Sequence, residues 1–171
     1  IGKSTINNIW NRHFLDSAQV FDFIGKNEKT LVDIGSGAGF PGLVLAIIAK
    51  ERKIPVKIKL FEKSPKKIIF LKKIINELNL NVEAINENVQ DEKIKFIDQS
   101  FIVRAFKPLP LVLELIHSKA KNFKKLIIYL GKTGVSELHE ASKSWDIKYK
   151  QSMSVTSSDS LIIVINKLSK K

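Results

Sequence analysis

One stretch constrains this chain more than any other: Leu31-Val32-Asp33-Ile34-Gly35-Ser36-Gly37-Ala38-Gly39-Phe40-Pro41-Gly42. A short apolar run carries an acid and then breaks into four glycines at every second or third place. Glycine has no Cβ, so it takes positive φ without steric cost and lets backbone pass close to a ligand. An apolar helical pattern resumes from Leu43 to Ala49. The order is strand, tight turn, helix, with the free N–H groups of the helix start facing whatever sits over the turn.

Two ligands compete for that turn, beside the plain reading of a turn that binds nothing. Gly37-x-Gly39-x-x-Gly42 fits the dinucleotide fingerprint, in which a pyrophosphate rests on the helix start. Gly35-x-Gly37-x-Gly39 preceded by Asp33 fits the S-adenosylmethionine (SAM) loop of Rossmann-like methyltransferases. Charge favours the second: an acid at the strand tip repels a pyrophosphate and attracts the ammonium of a methionine moiety.

The rest of the chain alternates in the same style. Residues 4–26 read as helix from Ile6, Ile9, Trp10, His13, Phe14, Val20, Phe21 and Ile24, with a bend at Asp16-Ser17. Strands are expected at Thr30–Ile34, Val56–Phe61, Val82–Ile85, Phe101–Val103 and Leu126–Leu130. Helices are expected at Gly42–Lys50, from Pro65 with Ser64 as N-cap, at Leu111–Ala120 and at Val135–Trp145. Asn86–Gln99 is polar and irregular, with room for one short helix. Asp146–Lys150 and Leu161–Asn166 then read as strands, and Gln151–Ser160 between them is too short for a helical crossover. The expected fold is therefore α/β, with a mostly parallel seven-stranded sheet and a C-terminal antiparallel hairpin. At 171 residues the expected organisation is one domain over 1–171 with an N-terminal helical segment at about 1–26.

Within such a sheet, ligands lie at the carboxyl ends of the strands, where the strand order reverses. Asp33, Gly35, Ser36, Gly37 and Gly39 form the floor of the expected cofactor site. Glu62 ends the second strand, at the place where an acid meets ribose hydroxyls. Arg104 ends the fourth strand; its planar guanidinium suits either a carboxylate or an RNA phosphate. A net charge of +12, from 29 basic against 17 acidic residues, draws such a chain to polyanions. A Lys-rich surface with no such partner is the competing reading. Lys66, Lys67, Lys72, Lys73, Lys121, Lys124 and Lys125 are candidate phosphate contacts. Cysteine is absent and the three histidines show no metal-ligand spacing, so no metal site is expected. No apolar run has the length to cross a bilayer, no secretory signal is visible, and absent cysteine fits a cytoplasmic protein.

Asp33 to Gly42 closely resembles the signature of the RsmG/GidB family, bacterial methyltransferases of small-subunit ribosomal RNA. Asn11-Arg12-His13-Phe14-Leu15-Asp16-Ser17 upstream and Arg104-Ala105-Phe106 downstream match the same family in order. The resemblance implies a SAM-dependent enzyme whose acceptor is guanine N7 in 16S rRNA, acting on that RNA or on the small ribosomal subunit. It implies that Phe40 packs on the ligand, that Val89 and Gln90 occupy the adenine-selecting loop, and that Arg104 contacts the cofactor. Gln90 departs from the family's acid there. Arg12 and His13, with Arg104 and Lys132, are the implied substrate contacts; Lys132 is followed by Thr133 where relatives commonly have glycine. An N-terminal helical piece before Arg12 is implied, part of which is expected to precede Ile1. N7 carries a lone pair and no proton, so no catalytic general base is expected. A SAM methyltransferase of another substrate and a non-catalytic RNA-binding protein are the alternatives, with a nicotinamide-linked oxidoreductase more distant.

Overall fold

The computed structural model describes residues 7–171. Its nine strands in chain order are β1 (Thr30–Ile34), β2 (Lys57–Phe61), β3 (Val82–Ile85), β4 (Phe96–Ile97), β5 (Ser100–Val103), β6 (Ala120–Lys121), β7 (Lys125–Leu130), β8 (Trp145–Ser154) and β9 (Ser157–Lys170). Seven form one sheet in the order β3-β2-β1-β5-β7-β9-β8. β3 to β7 are parallel; β9 runs antiparallel to β7, and β8 antiparallel to β9. The seven-stranded, mostly parallel sheet with its terminal hairpin is thus present. The chain winds outward from β1 to β3 and returns to place β5 on the other side of β1, so the order reverses between β1 and β5.

Short helical segments are α1 (Asp16–Ala18), α2 (Gly42–Glu51), α3 (Pro65–Glu77), α4 (Leu109–Lys119) and α5 (Gly134–Ser144). One core, with Leu43, Leu45, Ile68, Leu71 and Ile75, lies between the sheet and α2 and α3. The other, with Val112, Leu113, Ile116 and Ala141, lies under α4 and α5. α3 shows why the pattern docks: Ile68, Leu71 and Ile75 recur at threes and fours and are buried, each worth roughly 2 kcal/mol of removed apolar surface. Leu31 to Ile34 are buried without alternation, because a central parallel strand is covered on both faces.

Three expectations need correction. Residues 4–6 lie outside the described residues; from Trp10 onward the expected long helix is a π-helical turn (Trp10–Leu15), then α1, then a 3-10 turn (Phe21–Phe23). The Asp16 carbonyl, which would continue an α-helix, instead accepts from the Tyr129 hydroxyl at 3.0 Å and the Gln19 amide at 3.1 Å. The terminal strands are much longer than read, with only Val155 and Thr156 between them. β8 is the outermost strand and mostly exposed, so no buried face imposed an apolar alternation on it. The irregular stretch after β3 holds no helix; it supplies β4, which pairs with β6 apart from the main sheet.

Candidate active site

The glycine loop leaves β1 and is pinned to the neighbouring strand. Gly35 and Ser36 both donate their N–H to the Phe61 carbonyl, at 3.0 and 3.1 Å. Gly37 has φ of +59°, and a Cβ placed there has nothing nearer than 3.9 Å. Positive φ at an open position is where only glycine keeps both the turn and the space above it. The Ser36 hydroxyl is buried beside it and has no hydrogen-bond partner among the described residues.

Glu62 faces this loop from the tip of β2. Its Oε2 accepts the Gly37 N–H at 3.0 Å and its Oε1 accepts the Ser64 N–H at 2.8 Å. The Lys67 ammonium lies 3.4 Å from the same Oε2. Ser64 occupies the N-cap of α3 but makes no side-chain cap bond; the acid takes its backbone instead. Oε1 still has a lone pair to spare, while Oε2 is shared by the Gly37 N–H and the Lys67 ammonium. Gly35, Phe61, Glu62, Asn88, Val89, Gln90 and Phe106 line a cleft of about 330 Å³. Val89 is buried, while Gln90 is exposed, its N–H held by the Asn88 side chain at 3.1 Å. Phe106 packs its ring directly on Gly35.

Asp33 does not face that cleft. It is 1% exposed and its Oδ2 accepts the Gly42 N–H at 2.9 Å, so it satisfies a donor at the start of α2. Burial pushes its carboxyl up to about 7, opposed by the Gly42 bond and by the Arg104 charge. The expected attraction to a ligand's ammonium therefore loses its direct route. Phe40 is turned toward the N-terminal segment. It is absent from the cleft lining and packs against His13 and Phe14, with ring centroids 5.2 Å away in each case.

A second opening, of about 510 Å³, lies at the ends of β5 and β7. Arg12, Asp16, Arg104, Tyr129, Lys132 and Thr156 line it. Arg12, Arg104 and Lys132, read from the sequence as separate candidates, are brought together here. Arg104 is tied down, however. Its Nε lies 2.9 Å from Asp16 Oδ2, its Nη2 donates to the Arg12 carbonyl, and its Nη1 is 3.5 Å from His13 Nδ1. None of these bonds reaches the glycine loop. Burial and then the Arg104 charge lower the His13 pKa. Lys132 is exposed and lies 3.6 Å from Asp159.

Several residues here escaped sequence reasoning. Asp16 belongs to the motif Asn11–Ser17, yet nothing local marks it as the partner of Arg104. Tyr129 and Thr156 reach the opening from elements distant in the chain. Lys121, Lys124 and Lys125 fall at the opposite edge, before or at the start of β7. There the Lys124 ammonium is 3.7 Å from Glu28, and the Lys125 ammonium donates to the Phe23 carbonyl at 2.7 Å. Among the described residues, no group of three or more His, Cys, Asp or Glu is placed to hold a metal ion. No described helix is long and apolar enough to cross a membrane.

Comparison with known proteins adds to this geometry. Residues 1–163 match the family described as GidB, rRNA small subunit methyltransferase G. A protein of Pelagibacter ubique named ribosomal RNA small subunit methyltransferase G is 39% identical over 173 residues, covering 100% of this chain and 81% of its own length. One of the same name from Rickettsia felis is 35% identical over 170 residues, covering 99% and 84%. Among solved structures, a SAM-dependent methyltransferase from Aquifex aeolicus superposes with a TM-score of 0.66 over 96% of this chain and 98% of its own, at 17% identity. A chain of the fibrillarin–Nop5p complex gives 0.60 over 82% and 73%, at 16% identity. Each of these two likenesses, at 17% and 16% identity, is one of fold.

Proposed function

Since the chain belongs to the rRNA small subunit methyltransferase G family, we propose that it moves a methyl group from SAM to N7 of a guanine in small-subunit (16S) ribosomal RNA. The observation that carries this reading is the adjacency of two openings at one sheet edge. One is walled by glycine backbone and a carboxylate, the other by cations. Ala105 lines the second, Phe106 lines the first, and the two residues adjoin in the chain.

The first opening fits SAM. Gly35 backbone forms one wall, Gly37 leaves open space over the adjoining turn, and Glu62 Oε1 has acceptor capacity for a ribose hydroxyl. Val89 and Gln90 sit where an adenine edge is met by an apolar wall and an amide. SAM, when bound, supplies a methyl group activated by a sulfonium. Asp33 acts on this site through the backbone it holds, not by contact.

Arg12, His13, Arg104 and Lys132 serve the second opening. Arg12 and Lys132 are exposed and offer charge to phosphates. Arg104, held by Asp16, keeps the mouth in shape. Guanine N7 has a free lone pair and no proton, so no side chain has to remove one. The chain's task is alignment of N7 with the methyl carbon, and tolerance of the positive charge that the purine acquires. Asp16 is the anion lining that mouth. A base inside stacked RNA has to leave its neighbours to reach such an opening.

The test is to map N7-methylguanine in 16S rRNA from cells with and without this gene. One position loses its methyl group in the deletion and regains it when the purified protein and SAM are added. An unchanged map overturns the assignment.

A further inference from the structure

The exposed face of α3 carries apolar side chains that the core does not use. Phe70 is 48% exposed and Ile69 71% exposed, on a helix whose other outward residues are mostly charged. On a helix, positions three and four apart are neighbours. Phe70 therefore lies beside Lys66, Lys67 and Lys73, and Ile69 beside Lys66, Lys72 and Lys73. Glu77 is the only acid on α3 and sits 3.8 Å from Lys73. Lys66 and Lys72 make no ion pair among the described residues. Lys67 also lines the cleft beside Glu62, and Phe70 follows it by three residues, about 4.5 Å along the axis.

We infer that this face is a stacking platform for single-stranded RNA next to the cofactor cleft: Phe70 takes the face of one base, Ile69 extends the apolar surface, and Lys66, Lys67, Lys72 and Lys73 hold the flanking phosphates. Aromatic rings interleaved with cations bind single strands with little sequence preference, because every base offers a π face. The charge of the face selects a polyanion. Its place at the rim of the cleft makes the occupant the strand that flanks the target guanine. The inference rests on the proposed function and adds to it a surface beside the first opening, with Lys67 shared between the two.

Binding of a fluorescein-labelled single-stranded RNA dodecamer tests it, with SAM affinity and thermal melting measured alongside. Phe70→Ala weakens RNA binding on the order of tenfold, while SAM affinity and melting stay at wild-type values. Phe70→Trp keeps the affinity, and its added fluorescence is quenched by RNA. Lys66→Gln and Lys72→Gln each reduce the salt slope of binding by roughly 0.7. Wild-type affinity in Phe70→Ala overturns the platform and leaves the assigned function standing. A Phe70→Ala loss seen with small ribosomal subunits but not with naked RNA also overturns it, in favour of a protein contact. Wild-type protein that binds neither SAM nor RNA overturns both.

Discussion

Asp16 Oδ2 stands 2.9 Å from Arg104 Nε, with both side chains mostly shielded from solvent. The other oxygen, Oδ1, accepts from the Gln19 amide at 2.7 Å and the Thr156 hydroxyl at 2.8 Å. One carboxylate thus joins the N-terminal segment, the tip of β5 and the turn between β8 and β9. Removing it leaves a shielded guanidinium unpaired, and losses of that kind are strongly destabilising.

Asp16→Ala is therefore expected to lower stability by about 3 kcal/mol in urea denaturation. It lowers rRNA methylation more than it lowers SAM affinity, because Asp16 lines the mouth and not the cleft. Asp16→Asn keeps the uncharged hydrogen bonds and falls between. Wild-type stability in Asp16→Ala contradicts the shared role of this carboxylate.

Glu62 is predicted to carry both loop order and cofactor affinity. Glu62→Gln replaces one acceptor oxygen by a donor, so either the Gly37 or the Ser64 N–H loses its partner. An unmet donor of that type costs about 1–2 kcal/mol. SAM dissociation constants from calorimetry should rise at least about tenfold in Glu62→Gln and further in Glu62→Ala, with RNA affinity little changed. Unaltered SAM binding in both variants removes Glu62 from the cofactor site.

Much of this was legible because it is local. The apolar run Leu31 to Ile34, the glycines and the apolar pattern after Gly42 specify strand, turn and helix within one stretch of chain. Glu62 followed from its place at the end of the next strand. Arg104 was legible as a strand-tip cation, but its partner was not, since Asp16 meets it only after the N-terminal segment folds over the sheet edge. Asp33 was misread for a related reason: its position was right, but the direction of a side chain depends on the helix start above it. β8 was cut short because an exposed edge strand shows no alternation to read.

The buried Asp33 makes stability depend on pH. The folded chain keeps this carboxyl protonated up to about 7, whereas the ordinary value is 3.8. Between those values the folded state binds more protons than the unfolded state, so this group's contribution to stability falls as pH rises through that window and then levels. Asp33→Asn retains an acceptor for the Gly42 N–H without the buried charge. It is expected to melt above the wild type at pH 8, by at least about 3 °C, and to lose the advantage at pH 4. Asp33→Ala, which removes the acceptor, gains less. A variant Asp33→Asn that melts lower than wild type at pH 8 contradicts a charge held at a cost.

Gly37 and Gly39 both have positive φ, at +59° and +93°, yet their surroundings differ. A Cβ on Gly37 enters open space, while one on Gly39 comes within 2.6 Å of Leu43 Cγ and 3.0 Å of Leu71 Cδ2. The backbone cost of an L-residue in the left-handed region is about 1–2 kcal/mol in either case. Gly39→Ala adds overpacking against two core leucines, typically a further 1–3 kcal/mol. Gly37→Ala adds only a methyl group in the space assigned to the cofactor. Gly37→Ala should therefore melt a few degrees below wild type and lose SAM affinity by more than about tenfold, its methyl filling the cradle. Gly39→Ala should be the less stable of the two, with SAM binding weakened only in proportion to the unfolded fraction. Equal SAM affinity in Gly37→Ala and wild type places the cofactor elsewhere than over this loop.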